Sequence, residues 1–319
     1  MTVSPAAPLA TAAPPPTDRV LAGMGLMVLF CLIAPLIDVS SKAAAQGAPV
    51  ATVTFGRFVV QAVLMAPVVA LLGPGFRITA RAAGLTALRG ACAIVSTFSF
   101  VAAVQVMPIA DALAIAFVEP FVILMIGRFA MGEEVGPRRL SACAVGFLGA
   151  LVVIQPSFAN FGAVALFPLG TAVTFALYML ITRRLSREMH PVPMQFHTAL
   201  FAGLGCLPLM AAGAVSGVPA FAVALPADPA IWGWCAGVGL AATVSHMAIT
   251  YALKFAPSAT LAPLHYLEIV TATLFGYLFF GDFPAGMTWA GIGVIVASGL
   301  YVIHRERVVA RRARVILPQ

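Results

Sequence analysis

Residues 109–131 read IADALAIAFVEPFVILMIGRFAM. A helix needs roughly 20 apolar residues to cross a bilayer, and this stretch is long enough. It is apolar throughout except for Asp111, Glu119 and Arg128. The polar–apolar alternation of a membrane β-strand is absent. Glu119 lies about ten residues into the helix, near the bilayer midplane, where a charge costs about 2.5–3.5 kcal/mol on insertion scales. A residue kept at that cost needs a partner, a water-filled cavity or a bound proton. A spanning helix with a midplane acid organises the reading of everything else.

The whole chain shares this character. Of its 319 residues, 61% are hydrophobic and only 9% charged, and the mean hydropathy is +1.03. A soluble domain carries roughly 25% charged residues. A soluble enzyme, a disordered chain and a nucleic-acid-binding module are therefore excluded, which leaves a polytopic membrane protein. Apolar segments are expected at 20–40, 50–73, 84–105, 109–131, 139–156, 161–182, 194–215, 230–253, 257–280 and 286–304. They predict an all-α membrane protein of ten transmembrane helices. Turn residues or charges mark the breaks, as at Gly73-Pro74-Gly75, Gly132-Glu133-Glu134, Gln155-Pro156-Ser157, Arg183-Arg184 and Gly281-Asp282-Phe283-Pro284.

Charge sets the orientation. With the N-terminus inside, every Lys and Arg except Lys42, Arg57 and Arg89 falls in an inner loop or end. That excess puts both termini in the cytoplasm. It also explains the net charge of +7 without a nucleic-acid partner. Residues 1–19, rich in Ala, Pro and Thr, read as a disordered cytoplasmic tail rather than a cleaved signal. Residues 305–319 read as a basic cytoplasmic tail. Cys31, Cys92, Cys143, Cys206 and Cys235 lie in apolar runs without metal-ligand spacing, so no metal or cofactor is expected.

Laid over itself at one fixed offset, the chain repeats. Val95-Ser96 falls on Val244-Ser245, Pro108 on Pro257, Glu119 on Glu268, Gly127 on Gly276, Gly132 on Gly281 and Glu133 on Asp282. Apolar bias does not align an intramembrane glutamate with a proline and two glycines. Each half holds five segments, an odd number, so the halves cross the membrane in opposite senses. Inverted repeats of this kind place the substrate site near the midplane between the halves.

The run Leu113-Ala-Ile-Ala-Phe-Val-Glu119-Pro120, with Gly132-Glu133 and Gly146-Phe-Leu-Gly149, resembles the drug/metabolite transporter superfamily, EamA type. Its echo, Leu267-Glu268-Ile-Val with Gly276-Tyr-Leu-Phe-Phe-Gly281-Asp282, does the same, although Asp282 stands where the family usually has Glu. The resemblance implies two EamA repeats, 20–156 and 161–304, around a central cavity. The Glu-Pro and Leu-Glu pairs resemble alpha-proteobacterial members, some of which import riboflavin. Other members move amino acids, S-adenosylmethionine or metallophores, in either direction.

Polar residues inside the segments are the candidate site. Glu119 and Glu268 are expected to bind substrate or protons, because two carboxyls in a poorly hydrated space compete for one proton. Thr54, Arg57 and Gln61 share a helix face. Arg57 has two readings: a clamp for an anionic group, or an arginine snorkelling to the headgroups. Arg89 favours snorkelling at the inner surface. Asp38 and Lys42, one turn apart, read as a local ion pair. Stripes carrying Ser96 and Ser99, Thr171 and Tyr178, His246 and Thr250, and His265 and Thr271 suggest one wet cavity. His246 and His265 either bind substrate, relay protons or make structural hydrogen bonds. Asp111 lies at the cavity mouth or caps its helix. Gly146-x2-Gly149, Gly233-x3-Gly237 and Gly291-x-Gly293 suggest close helix contacts.

These features predict a secondary transporter of a small organic metabolite, with protons as candidate coupling ions. No Gly-x4-Gly-Lys-Ser/Thr loop, His-Glu-x2-His pair or Gly-x-Ser-x-Gly elbow occurs, which argues against an ATPase or an intramembrane enzyme. A receptor or scaffold has no need of paired midplane carboxyls.

Overall fold

A broken helix opens the chain. In this computed structural model, which describes residues 17–72, 75–131, 136–282 and 286–316, α1 (Thr17–Ile33) meets α2 (Pro35–Ala44) at Ala34. Pro35 has no N–H and its ring crowds the preceding turn, which explains the step. The expected tail at 1–19 falls largely outside the described residues. So do the turns expected at Gly73-Pro74, Gly132-Glu133-Glu134 and Phe283-Pro284.

The rest of the described chain is helical, with no strand. The first half continues with α3 (Val50–Leu72), α4 (Ala80–Val104), α5 (Ile109–Ala116), α6 (Glu119–Met131) and α7 (Pro137–Phe161). The second has α8 (Phe167–Leu185), α9 (Pro191–Ser216), α10 (Pro229–Phe255), α11 (Ser258–His265), α12 (Glu268–Phe280) and α13 (Gly286–Ile316). The turn expected at Gln155-Pro156-Ser157 does not form, because α7 runs on to Phe161. The basic end from Arg305 continues α13 as helix to Ile316.

Among the described residues, seven segments are long and apolar enough to cross a membrane: Arg19–Ala44, Val50–Leu72, Ala80–Val104, Ile109–Phe129, Gly162–Leu185, Pro191–Ser216 and Pro229–Phe255. Leu140–Gly149, Glu268–Phe280 and Trp289–Ser298 are apolar but shorter. Many large apolar side chains face outward, among them Leu71, Leu72, Phe129 and Val215. A bilayer accepts such a surface and water does not.

Two further breaks matter more than the first. The expected segment 109–131 is two helices, stepping at Phe117-Val118, and 257–280 is two helices, stepping at Tyr266-Leu267. At the first, the ring of Pro120 cannot sit over the carbonyl of residue 116 in an unbroken helix. Val118 and Phe121 donate instead to carbonyls three residues back, at Ile115 and Val118. At the second, Ile269 occupies the position matching Pro120. The tightening recurs there, with Leu267, Ile269 and Val270 bonding to Leu264, Tyr266 and Leu267. In each case a glutamate is the first residue of the second piece.

α4 packs on α8 and α9, α3 on α9 and α10, α1 on α10, and α7 on α13. Gly146 of α7 is needed where Tyr266 lies, since an added Cβ would come within 2.5 Å of the tyrosine ring. Gly237 similarly faces Ser40 at 3.0 Å. Gly233 and Gly293 face open space, contrary to the expectation that they mediate helix contact.

Candidate functional site

The breaks bring their glutamates to one cavity. Glu119 begins α6, Glu268 begins α12, and both are nearly fully buried. Between them stands His265, the last residue of α11. Its Nε2 lies 2.7 Å from Glu268 Oε2 and its Nδ1 3.2 Å from Glu119 Oε2. The second contact is off the N–H line and acts as an ion pair rather than an aligned hydrogen bond. A ring carrying hydrogen on both nitrogens matches this setting, since each nitrogen then faces a carboxylate.

The cavity encloses about 720 Å³ of space, including its open mouth. α2 contributes Asp38 and Ser41, α3 Arg57, α4 Ser96, Thr97, Phe100 and Val101, α8 Thr171, Phe175 and Tyr178, and α10 His246. Phe30 and Phe117 complete an aromatic wall. Phe30 and Phe175 stack at 6.4 Å between centroids, Phe175 and Tyr178 at 5.3 Å.

Arg57 does not snorkel. Its Nη1 donates to Thr97 Oγ1 and its Nη2 lies 2.8 Å from His246 Nε2. A guanidinium can only donate, so Nε2 accepts and the ring hydrogen sits on Nδ1. Nδ1 then donates to Tyr178 Oη at 2.8 Å. The Nε of Arg57 has no partner.

Arg89 corrects the expectation of an inner-surface snorkel. It is 0% exposed. Its Nε donates to Thr182, its Nη1 to Thr198, and its Nη2 to Tyr178, Gln195 and Thr250. The guanidinium also lies over the Tyr178 ring, 4.1 Å from its centroid. Every partner is neutral. The polar stripes therefore do not line a single wet space. Their one end, with Ser96, Thr171 and His265, faces the cavity, and the other, with Thr182 and Thr250, closes around Arg89.

Asp38 and Lys42 do not pair. Lys42 Nζ binds Asp282 Oδ2 at 2.8 Å and lies over the Phe280 ring. Asp38 turns into the cavity, where its Oδ2 has no partner. Of the expected residues, Glu119, Glu268, Arg57, His246, His265, Tyr178 and Ser96 converge on this cavity. Asp111 is not among its lining residues. It sits in the first turn of α5, three residues after the N-cap Pro108. Asp38, Thr97 and the aromatic wall were missed. Thr97, Phe100 and Val101 follow Ala93 at helical spacing, a signal present in the sequence.

Among the described residues no group of three His, Cys, Asp or Glu side chains is placed to hold a metal ion.

The sequence pattern of the EamA-like transporter family matches this chain twice, at residues 21–155 and 162–304. A riboflavin transporter of Rhizobium johnstonii is 32% identical over 65% of this chain and 66% of its own length, just under two thirds. A riboflavin transporter of Brucella anthropi is 26% identical over 90% of this chain and all of its own. An S-adenosylmethionine uptake transporter of Rickettsia conorii is 23% identical over 90% and 94%. One solved crystal structure superposes with a TM-score of 0.69 at 18% identity, covering 93% of this chain and 99% of its own, and so shares the fold. With two matched repeats, apolar spanning helices and a polar cavity between them, the chain belongs to the EamA-like transporter family: it is a multi-pass membrane transporter of small molecules, not an enzyme.

Proposed function

We propose that the chain imports riboflavin across the bacterial cytoplasmic membrane by alternating access, driven by protons. The observation that carries this reading is the cavity. Its aromatic wall suits a planar ring system, and its polar groups suit a ligand with several hydrogen-bonding atoms. The riboflavin transporters among the relatives support the substrate.

The reading includes ten crossings in two inverted halves, 20–156 and 161–304, with the tails 1–19 and 305–319 in the cytoplasm. The helix packing supports the symmetry. Exchanging the halves turns the α4–α8 contact into α10–α1 and α4–α9 into α10–α3, while α3–α9 and α7–α13 map onto themselves. In this orientation the cavity lies toward the outer face and the Arg89 cluster closes beneath it. Glu119, His265 and Glu268 hold the exchangeable proton. Arg57, Tyr178 and Ser96 line the substrate, and His246 ties Arg57 to Tyr178.

The test is rescue of a riboflavin auxotroph at low vitamin, followed by uptake into proteoliposomes with and without an imposed pH gradient. Glu119→Gln or Glu268→Gln should abolish gradient-driven accumulation while counterflow persists. No rescue and no uptake by the parent would overturn the substrate. Unchanged accumulation by both variants would overturn proton coupling. A periplasm-active reporter should signal when fused after Gly217 and stay silent after Arg187; the reverse would overturn the orientation.

A further inference from the structure

Four charged groups in the cavity already have partners. His265 faces both glutamates, and both terminal nitrogens of Arg57 are engaged by Thr97 and His246. Asp38 is different. It is 92% buried, being 8% exposed, and the cation one turn along its own helix is drawn away to Asp282 on α12. A desolvated carboxylate oxygen without a donor is costly, so a fold that keeps one has a use for it.

The surroundings narrow that use. No metal-binding group of three side chains forms among the described residues. Glu268 acts on Asp38 with one sign and Arg57 and His265 with the other, so charges of both signs surround it in the cavity. Arg57 keeps an unpartnered donor, Nε, while Asp38 and Glu119 keep unpartnered acceptors, Oδ2 and Oε1, and of these two acids Glu119 has His265 beside it. A donor and an acceptor on side chains that line an aromatic-walled space match a neutral group that offers a carbonyl and an N–H on the edge of a planar ring. We propose that Asp38 is a specificity-determining residue of the cavity: its carboxylate accepts the imide N–H of the flavin ring while Arg57 Nε donates to a flanking carbonyl. The assignment rests on the riboflavin reading above and names the part of that substrate which the cavity selects.

The experiment compares riboflavin with N3-methylriboflavin, in which the imide hydrogen is replaced by methyl, as competitors of labelled riboflavin uptake in proteoliposomes. The parent should prefer riboflavin by at least about tenfold, the cost of one buried group left unpaired. In Asp38→Ala the preference should fall to within about twofold. Asp38→Asn keeps an acceptor oxygen and should retain part of it. If Asp38→Ala abolishes uptake, the same ratio is read from quenching of flavin fluorescence by the purified protein, and Asp38→Asn serves if the alanine variant does not fold. A parent that accepts both flavins equally, or an Asp38→Ala ratio equal to the parent's, overturns the assignment while leaving riboflavin import intact. A parent that takes up no riboflavin overturns the substrate itself, and the imide assignment with it.

Discussion

Arg57 and Arg89 are both buried cations on neighbouring helices, α3 and α4, and neither touches a carboxylate. Their surroundings differ in one respect that separates their roles. Arg89 has all three nitrogens engaged, by hydroxyls and an amide from α8, α9 and α10. Arg57 borders empty space and keeps an unpartnered Nε. A fully satisfied buried charge joins helices, and an incompletely paired one beside a cavity is a candidate ligand group. The pair teaches that depth alone does not single out a candidate transport residue; incomplete pairing beside a cavity is what sets Arg57 apart.

The comparison is open to test at both ends. The largest effect is expected from Arg89→Ala, which leaves three threonines, a glutamine and a tyrosine without their donor. Yield of folded protein should drop sharply, with a loss of about 1.5–3 kcal/mol in unfolding measurements. Arg89→Lys should restore little, because an ammonium cannot reproduce the planar fork. Near-parental stability of Arg89→Ala would erase the contrast. Next, Arg57→Ala should cut riboflavin uptake by at least about tenfold, equivalent to about 1.4 kcal/mol, with folded yield near the parent's. Arg57→Lys should recover part of the uptake. An equal fall in yield would make Arg57 a second Arg89.

Tyr178→Phe removes the hydroxyl between the two sites. Since the tyrosine serves both, it should lower stability by about 1 kcal/mol and weaken uptake together. A change in one without the other would assign it to one site alone. Lys42→Ala sets the baseline for a partly exposed cation. Its bond to Asp282 should contribute about 0–1 kcal/mol, fading as salt rises.

The helical, membrane-embedded architecture was legible because apolar length writes it into the chain. So was the site's centre, because the repeat aligns Glu119 with Glu268. The breaks were only partly legible: Pro120 and Pro263 mark both helices as candidates for a kink, but the second step falls at Tyr266-Leu267, beyond Pro263, with Ile269 at the point matching Pro120. What failed were judgements about partners far along the chain. Arg89 reads as a headgroup contact until α8, α9 and α10 bring their hydroxyls to it. Asp38 and Lys42 have ideal spacing for an ion pair, but Asp282 lies closer in space to the lysine. Local spacing fixes which residues share a face, whereas the choice among competing partners depends on how helices from the two halves meet.

Arg57, His246, Tyr178 and Arg89 form an unbroken line of contacts from the cavity into the helix junction beneath it. In terms of linkage, the proposed transport cycle would use that line to join two equilibria. If an occupied cavity alters the balance between closed and parted arrangements of the Arg89 junction by some factor, parting the junction alters substrate affinity by the same factor. A tenfold drop in affinity on the inner side corresponds to about 1.4 kcal/mol. One hydrogen bond in the line is worth about 0.5–1.5 kcal/mol, or about 1.5–3 kcal/mol where a guanidinium donates. The coupling free energy needed to release substrate inward is therefore of the size of a single contact made on one side of the cycle and lost on the other.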